Sequence, residues 1–299
     1  MGSSGTAVVS DVGSTWANSG SLYVGYSGAG TLTIQNGGHV SVCETLQLRW
    51  AKSEVVVNAD TITAGSLEGT AGTIRMTDPV SGTALTVGSA VSGIYAGALT
   101  DDTDPGSLTK VGPAAQTLSG PGITYTGTTT VLEGILKLSD TTAFASAITN
   151  DATVEFEATT GTWTFDESLG GAGTFVKSGA GTLVFAGLQN YDPGALFEIL
   201  TGTVEMNTNA SGTGLMVDAD LSILVAGAQL DFGCDQYLDT LTIGEDGLVR
   251  FTGANVVVVK NLVMNGIPLG ATTLTPEPAT LALLGVGGLS LLGFRRRAA

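Results

Sequence analysis

SLTKVGPAAQTLSGPGITYTGTTTVLEGILKL, residues 107–138, can be laid on TFVKSGAGTLVFAGLQNYDPGALFEILTGTVEM, residues 174–206, part for part. Each copy runs K-x-G, an apolar strand ending in a small residue and Gly, a Tyr, a Gly, an apolar strand, then a Gly before a last strand. Lys110 and Lys177 open the two copies about 67 residues apart. That offset is too long for one solenoid coil and fits about three coils of roughly 20 to 25 residues. Regular short strands alone allow a sandwich, a propeller or a parallel β-helix; the repeat makes the β-helix the economical reading.

The same rhythm extends on both sides of the repeat. In SLYVGYSGAGTLTIQNGGHVSV, Leu22 and Val24, Leu32 and Ile34, and Val40 and Val42 fall on one side of successive strands separated by SGAG and NGG. LQLRW, EVVVNAD, TITAG, TIRMTD and ALTVG keep that unit length to Gly88, and the pattern resumes from about Gly212 to KNLVMNGIPLG. Alternation at period two marks strands with one buried face, and no helical period persists through the body. Glycines suit the sharp corners of a coil because they lack a Cβ. After Gly270 the composition turns to ATTLTPEP, a Thr/Pro stretch expected to hold no apolar strand. The reading is a solenoid over 1–270, a linker over 271–278 and an apolar tail over 279–299.

The charge balance narrows the partners. With 27 acidic residues against 11 basic ones and a net charge of -16, the chain repels phosphate backbones, and no basic stripe offsets this. Nucleic acid is therefore excluded as an expected partner. Cys43 and Cys234 are too few for a disulfide framework and are expected to be small buried residues. About eight coils would separate them, near 40 Å at ~4.8 Å per coil, far beyond the ~7 Å that a bridge allows. The start, MGSSGTAVVSDVGSTW, has neither a basic n-region nor an apolar stretch, so it is not a signal peptide, and an upstream start is expected.

The tail is of another kind. Residues 279–294 carry no charge and would cover ~24 Å as a helix against a hydrocarbon core of ~30 Å, marginal for a permanent anchor. A buried C-terminal helix is the plain alternative. Arg295, Arg296 and Arg297 argue for the membrane, since they snorkel and hold the end on the cytoplasmic side with the β domain outside.

Pro276, Glu277 and Pro278, then the apolar run, then the arginine cluster resemble a PEP-CTERM sorting signal, with all three parts in order. That resemblance implies a bacterial protein exported by the Sec route and processed near the PEP motif by an exosortase, a membrane cysteine transpeptidase. KSGAGTLVFAG and TYTGTTTVLEGILKL resemble the autotransporter-associated β-strand repeat, and STWANSGSLYVGYSGAGTLTIQNGGHVSV is similar to a repeat shared by type V secreted passengers and PEP-CTERM proteins. These imply a right-handed parallel β-helix over about half the chain, followed by a short C-terminal transmembrane helix. NGIPLGATTLTPEP resembles the usual run from last strand to sorting signal. An autotransporter passenger proper would need a C-terminal barrel of its own.

β-helices also host polysaccharide lyases and glycoside hydrolases, whose chemistry needs a Lys, Arg or His base beside carboxylates, or a carboxylate pair. His39, the sole histidine, sits in NGGHV and reads as a solvated corner residue. Lys110 and Lys177 occupy repeat positions and read as structural. Asp101, Asp102 and Asp104 form the densest acidic cluster, read as a solvated loop rather than a Ca²⁺ site because the spacing is no EF-hand. Asp218, Asp220, Asp231, Asp235 and Asp239 could meet on one face only if the coils bring them together. The glycines of GYSGAG precede no helix and are corners, not a nucleotide loop. No catalytic residue, cofactor or metal is expected. The expected function is a non-enzymatic structural or adhesive β-solenoid at the cell envelope, cell surface or extracellular matrix. An exosortase is the expected partner, with extracellular polysaccharide or neighbouring surface proteins as further ones and transient or permanent membrane insertion through the tail. A secreted carbohydrate-active β-helix enzyme is the alternative, and two carboxylates about 5 to 10 Å apart in a groove would mark it.

Overall fold

The computed structural model describes residues 3–58, 61–77, 84–102, 104–210, 220–276 and 282–284. All regular structure among them is β, and no helix occurs there. By compactness the chain divides into two units, residues 1–153 and 154–299, each a parallel β-solenoid, and together they count about twelve coils.

In the first unit one sheet stacks the strands Ser4–Ser10, Ala29–Gln35, Glu54–Asn58, Thr73–Thr77 and Ala98–Asp101, each parallel to the next. A second carries His39–Leu48, Thr61–Glu68, Ala84–Val87, Ser107–Lys110, Thr129–Val131 and Ile148–Asn150. A third stacks Gly93–Tyr95, Ala115–Ser119 and Ile135–Ser139. Parallel neighbours need a crossover between them, and here the rest of the coil supplies it. Because side chains alternate across a strand, EVVVN turns Val55 and Val57 inward and Glu54, Val56 and Asn58 outward. Register then stacks like on like: Leu32, Val55, Ile74 and Leu99 form one buried column, and Ile34, Val57 and Met76 another. Each fully buried side chain of this size contributes about 1.5–3 kcal/mol, so the core is a row of such columns.

The second unit repeats the scheme with larger residues. One sheet stacks Phe175, Phe197, Ile223 and Leu241 on the inner side; another stacks Phe165, Phe185, Met206 and Phe232. Phe156 meets Trp163, Phe165 and Phe185 edge-on, with centroids 5.5, 5.5 and 5.8 Å away. This is the geometry that aromatic quadrupoles favour.

The last coil ends in a hairpin. Asn265 and Gly266 hold φ of 50° and 75°, the left-handed pair of a two-residue turn, and send Ile267–Leu274 back antiparallel to Val257–Met264. The stretch expected to lack a strand from residue 271 is therefore strand as far as Leu274, which pairs with Val257 and is buried. Of the tail, only Ala282–Leu284 is described, as a short strand antiparallel to Leu248–Arg250. The helix expected over 279–294 otherwise lies outside the described residues, as do Glu277, Pro278, Arg295, Arg296 and Arg297; Pro276 is the last residue before the gap. Among the described residues no helix is long and apolar enough to cross a membrane.

The cysteines require a correction. Cys43 is exposed and Cys234 half-buried, both free, where two buried residues were expected. The cause at Cys43 is a register shift between Val42 and Thr45 against Thr61–Glu68. This bulge turns both Cys43 and Glu44 outward. Gly65 faces the bulge, and a Cβ there would lie 2.4 Å from the carbonyl oxygens of both residues.

Candidate functional site

Lys110 ends the strand Ser107–Lys110 and Lys177 is the last residue but one of Thr174–Ser178, both with the side chain turned into the core, at 1% and 0% exposure. Their neighbours in register are apolar: Val87 and Val131 beside Lys110, Ile199 beside Lys177. The Lys110 Nζ donates to the carbonyls of Val111 and Gly112, both at 2.7 Å, and to Glu133 of the next coil at 3.1 Å. Lys177 repeats this with Ser178 at 2.6 Å, Gly179 at 2.7 Å and Thr201 of the next coil at 3.3 Å. An ammonium has three protons to give, and each corner offers it three carbonyls; at the second corner Ser178 C=O also accepts from Ala158 N–H at 3.2 Å and Gly179 C=O from Thr201 Oγ1 at 3.3 Å. The K-x-G pattern now has a cause: Gly112 and Gly179, at φ of 69° and 76°, turn their carbonyls back toward Nζ. Neutral carbonyls do not cancel the buried charge. Burial lowers both ammonium groups, Lys177 to about 8, with Glu133 and Glu157 pulling in the opposite direction. The structural role read from the sequence is what the geometry shows.

Glutamines that the sequence reading passed over perform a related task. Gln116 is buried, accepts from Leu67 N–H at 2.8 Å and donates to Leu67 C=O at 3.1 Å, clamping the end of the strand Thr61–Glu68, 49 residues earlier in the chain. Gln236 accepts from Ala210 N–H at 2.9 Å and donates to Thr208 C=O at 2.8 Å. A polar residue at an inward position of an alternating strand was the available signal; its partner was not legible.

Among the described residues the acidic candidates fall in separate places, Asp101, Asp102 and Asp104 in the first unit and Asp220, Asp231, Asp235 and Asp239 in the second. Asp101 Oδ2 accepts from the N–H of Gly106 at 3.0 Å and from N–H and Oγ1 of Thr126 at 2.7 and 2.9 Å. Asp102 meets Arg75 at 3.1 Å, and Arg75 meets Glu54 at 2.9 Å; the Glu54 hydrogen bond leads in raising the guanidinium pKa. Asp104 lines the same open groove as Arg75 and Asp102. Asp231 takes Gln229 Nε2 at 2.9 and 2.8 Å and lies 3.8 Å from Arg250, while burial raises its pKa. Asp239, on a different sheet from Asp231, lies 3.8 Å from Lys260 of its own sheet, and Asp235 accepts from Val256 N–H at 2.7 Å. Asp220 precedes the Ser222–Val225 strand, and Asp218 lies outside the described residues. His39 opens a strand directly after the Asn36–Gly37 turn, with Nδ1 3.1 Å from the Thr61 carbonyl. No cluster of three or more His, Cys, Asp or Glu placed for a metal occurs among the described residues.

Outside the core the first unit carries a regular face. Ser41, Thr63, Thr86, Thr109, Thr130 and Thr149 are register partners in successive coils, all outward. At ~4.8 Å per coil they form one straight hydroxyl ladder.

Stacked coils, inward columns and lysine-closed corners define a repeat-built parallel β-solenoid. Its two K-x-G copies coincide with matches to the passenger-associated-transport-repeat family at residues 108–138 and 175–194. Residues 274–297 match the PEP-CTERM protein-sorting motif, as the order of PEP, apolar run and arginines implied. No curated protein and no solved structure matches the chain. The chain thus carries a PEP-CTERM sorting motif at residues 274–297 and passenger-type repeats at residues 108–138 and 175–194. The motif implies export to the cell envelope or surface, with an exosortase as processing partner.

Proposed function

We propose that the mature protein is a non-enzymatic structural or adhesive β-solenoid at the cell surface or in the extracellular matrix. In this reading the tail enters the membrane through residues 279–294 before processing, with Arg295, Arg296 and Arg297 on the cytoplasmic side. The observation that carries the role is the threonine ladder: identical hydroxyls at a fixed repeat suit many weak contacts with polysaccharide or neighbouring surface proteins, whose sum is strong. Asp101, Asp231 and Asp239 each have donors or a cation of their own, and Asp102 is bound to Arg75, which supports a role without catalysis.

Mass spectrometry of the protein made in its native host tests delivery. Loss of everything beyond about Pro278 is expected, and an intact Ala299 end overturns the sorting account. Incubating purified protein with isolated extracellular polysaccharide tests the rest. Polymer should bind without gain of reducing or unsaturated ends, and their appearance would make the protein a carbohydrate-active enzyme.

A further inference from the structure

The chain buries most of its large aromatic residues, yet three stand in the open together. Tyr23, Tyr26 and Trp50 are 49%, 63% and 48% exposed, whereas Tyr95, Tyr125 and Trp163 are inside. The three come from two adjacent coils, since Leu22–Val24 pairs with Leu46, Gln47 and Leu48, and Trp50 lies in the turn that follows. Their rings are fixed. Tyr23 stands edge-on to Tyr26 at 5.4 Å and 87°, Trp50 Nε1 donates to the Tyr26 carbonyl at 3.4 Å, and the Arg49 guanidinium lies 5.4 Å from the Tyr26 centroid. Exposed apolar surface held in a defined arrangement is the mark of a contact site.

Arg49 also belongs to an open groove of about 680 Å³ alongside, lined with Gln47, Glu68, Thr70, Ser92 and Ile94. Gln47 is the register partner of both Tyr23 and Glu68, and its Nε2 donates to Glu68 at 3.0 Å. Aromatic faces thus lead directly into a row of amide, carboxylate and hydroxyl groups over about three coil spacings, roughly 14 Å.

We propose that this platform and groove bind a neutral polysaccharide of pyranose units. A pyranose ring has an apolar face of C–H bonds and a rim of hydroxyls that both donate and accept. The apolar face stacks on Tyr26 and Trp50, and the rim meets Arg49, Gln47 and Glu68. Within the groove Arg49 and Glu68 balance each other, and the chain as a whole carries -16, so a neutral polymer fits and an anionic one is repelled. The proposal deepens the adhesive reading by naming a partner and a place, independently of the threonine ladder.

The test is titration of the purified full chain with three neutral hexasaccharides, cellohexaose, xylohexaose and mannohexaose, followed by tryptophan fluorescence and calorimetry. Hexagalacturonate and a proline-rich peptide serve as comparison probes. At least one neutral hexasaccharide should bind and change the emission. Trp50→Ala and Tyr26→Ala should each weaken it at least about tenfold with an unchanged thermal midpoint, and Trp50→Phe should retain most of the affinity. Absence of binding by all three, affinity indifferent to both alanine variants, or preference for hexagalacturonate or the peptide overturns the proposal. Failure here leaves delivery untouched, because that is read separately from the mass of the mature C-terminus.

Discussion

Lys177 and Ile199 are partners in adjacent coils of one column, and the chain buries an ammonium at the first and a hydrocarbon at the second. The lysine stem packs in the column while Nζ leaves it to close the corner at Gly179 and Thr201. A position that pattern alone would give to Val or Ile therefore carries a corner clamp.

Lys177→Met keeps the stem and removes the clamp. Three carbonyls lose the ammonium, Ser178 and Gly179 keeping the Ala158 N–H and Thr201 Oγ1 donors, and a loss of about 1–3 kcal/mol is expected in urea unfolding. The pH profile gives a second readout. Burial puts the folded pKa at about 8 against an ordinary 10.5, so the folded state holds its proton less tightly than the unfolded state. The stability contributed by this group therefore rises with pH from about 8 toward 10.5 and is flat outside that window. The variant should show a smaller rise between pH 8 and 9.5 than the parent, and an equal rise would refute the assignment. Tyr95, Tyr125 and Tyr191, whose hydroxyls burial pushes up, act in the opposite sense only above pH 10, their ordinary value.

The glycines of the two corners should differ on substitution. Gly112→Ala and Gly179→Ala both force a side chain into positive φ, at about 1–2 kcal/mol. A Cβ at Gly179 would also stand 2.3 Å from the Ala158 carbonyl oxygen, whereas at Gly112 the nearest atom is 3.0 Å away. Thermal unfolding should rank Gly179→Ala as clearly the more damaging; equal losses would mean that corner crowding is not limiting.

Within the aromatic cluster of the second unit, Trp163 Nε1 is buried with no hydrogen-bond partner. Trp163→Phe removes that unpaired donor while leaving a smaller void, and the two effects should offset to within about 1 kcal/mol. Phe185→Ala, which opens a cavity beside Phe156, Phe165 and Phe197, should cost about 3–5 kcal/mol in the same denaturant series.

Thiol labelling separates the cysteines. Cys43 on its bulge should react with a maleimide promptly in the folded protein. Cys234 should lag, because burial raises its pKa and its Sγ lies 3.2 Å from Gln236 Nε2 and 3.8 Å from the Met206 carbonyl. Similar rates would contradict the burial at Cys234.

The strands, the inward faces and the corner glycines were legible because each follows from chemistry a few residues long: alternation sets which face is apolar, and a residue without Cβ takes positive φ. The sorting motif was legible for the same reason, as a contiguous run in fixed order. What joins one coil to the next was not. Glu54 faces Thr73, but Leu196 faces Ser222, so coil length varies and no local pattern fixes which residues become neighbours. Only the stacked structure decided that Lys110 reaches Glu133, that Gln116 clamps Leu67, that Asp231 and Asp239 stand apart, and that a bulge turns Cys43 outward. A linear sequence specifies the rungs; their register comes from packing side chains between coils, an interaction that exists only once the chain has closed on itself.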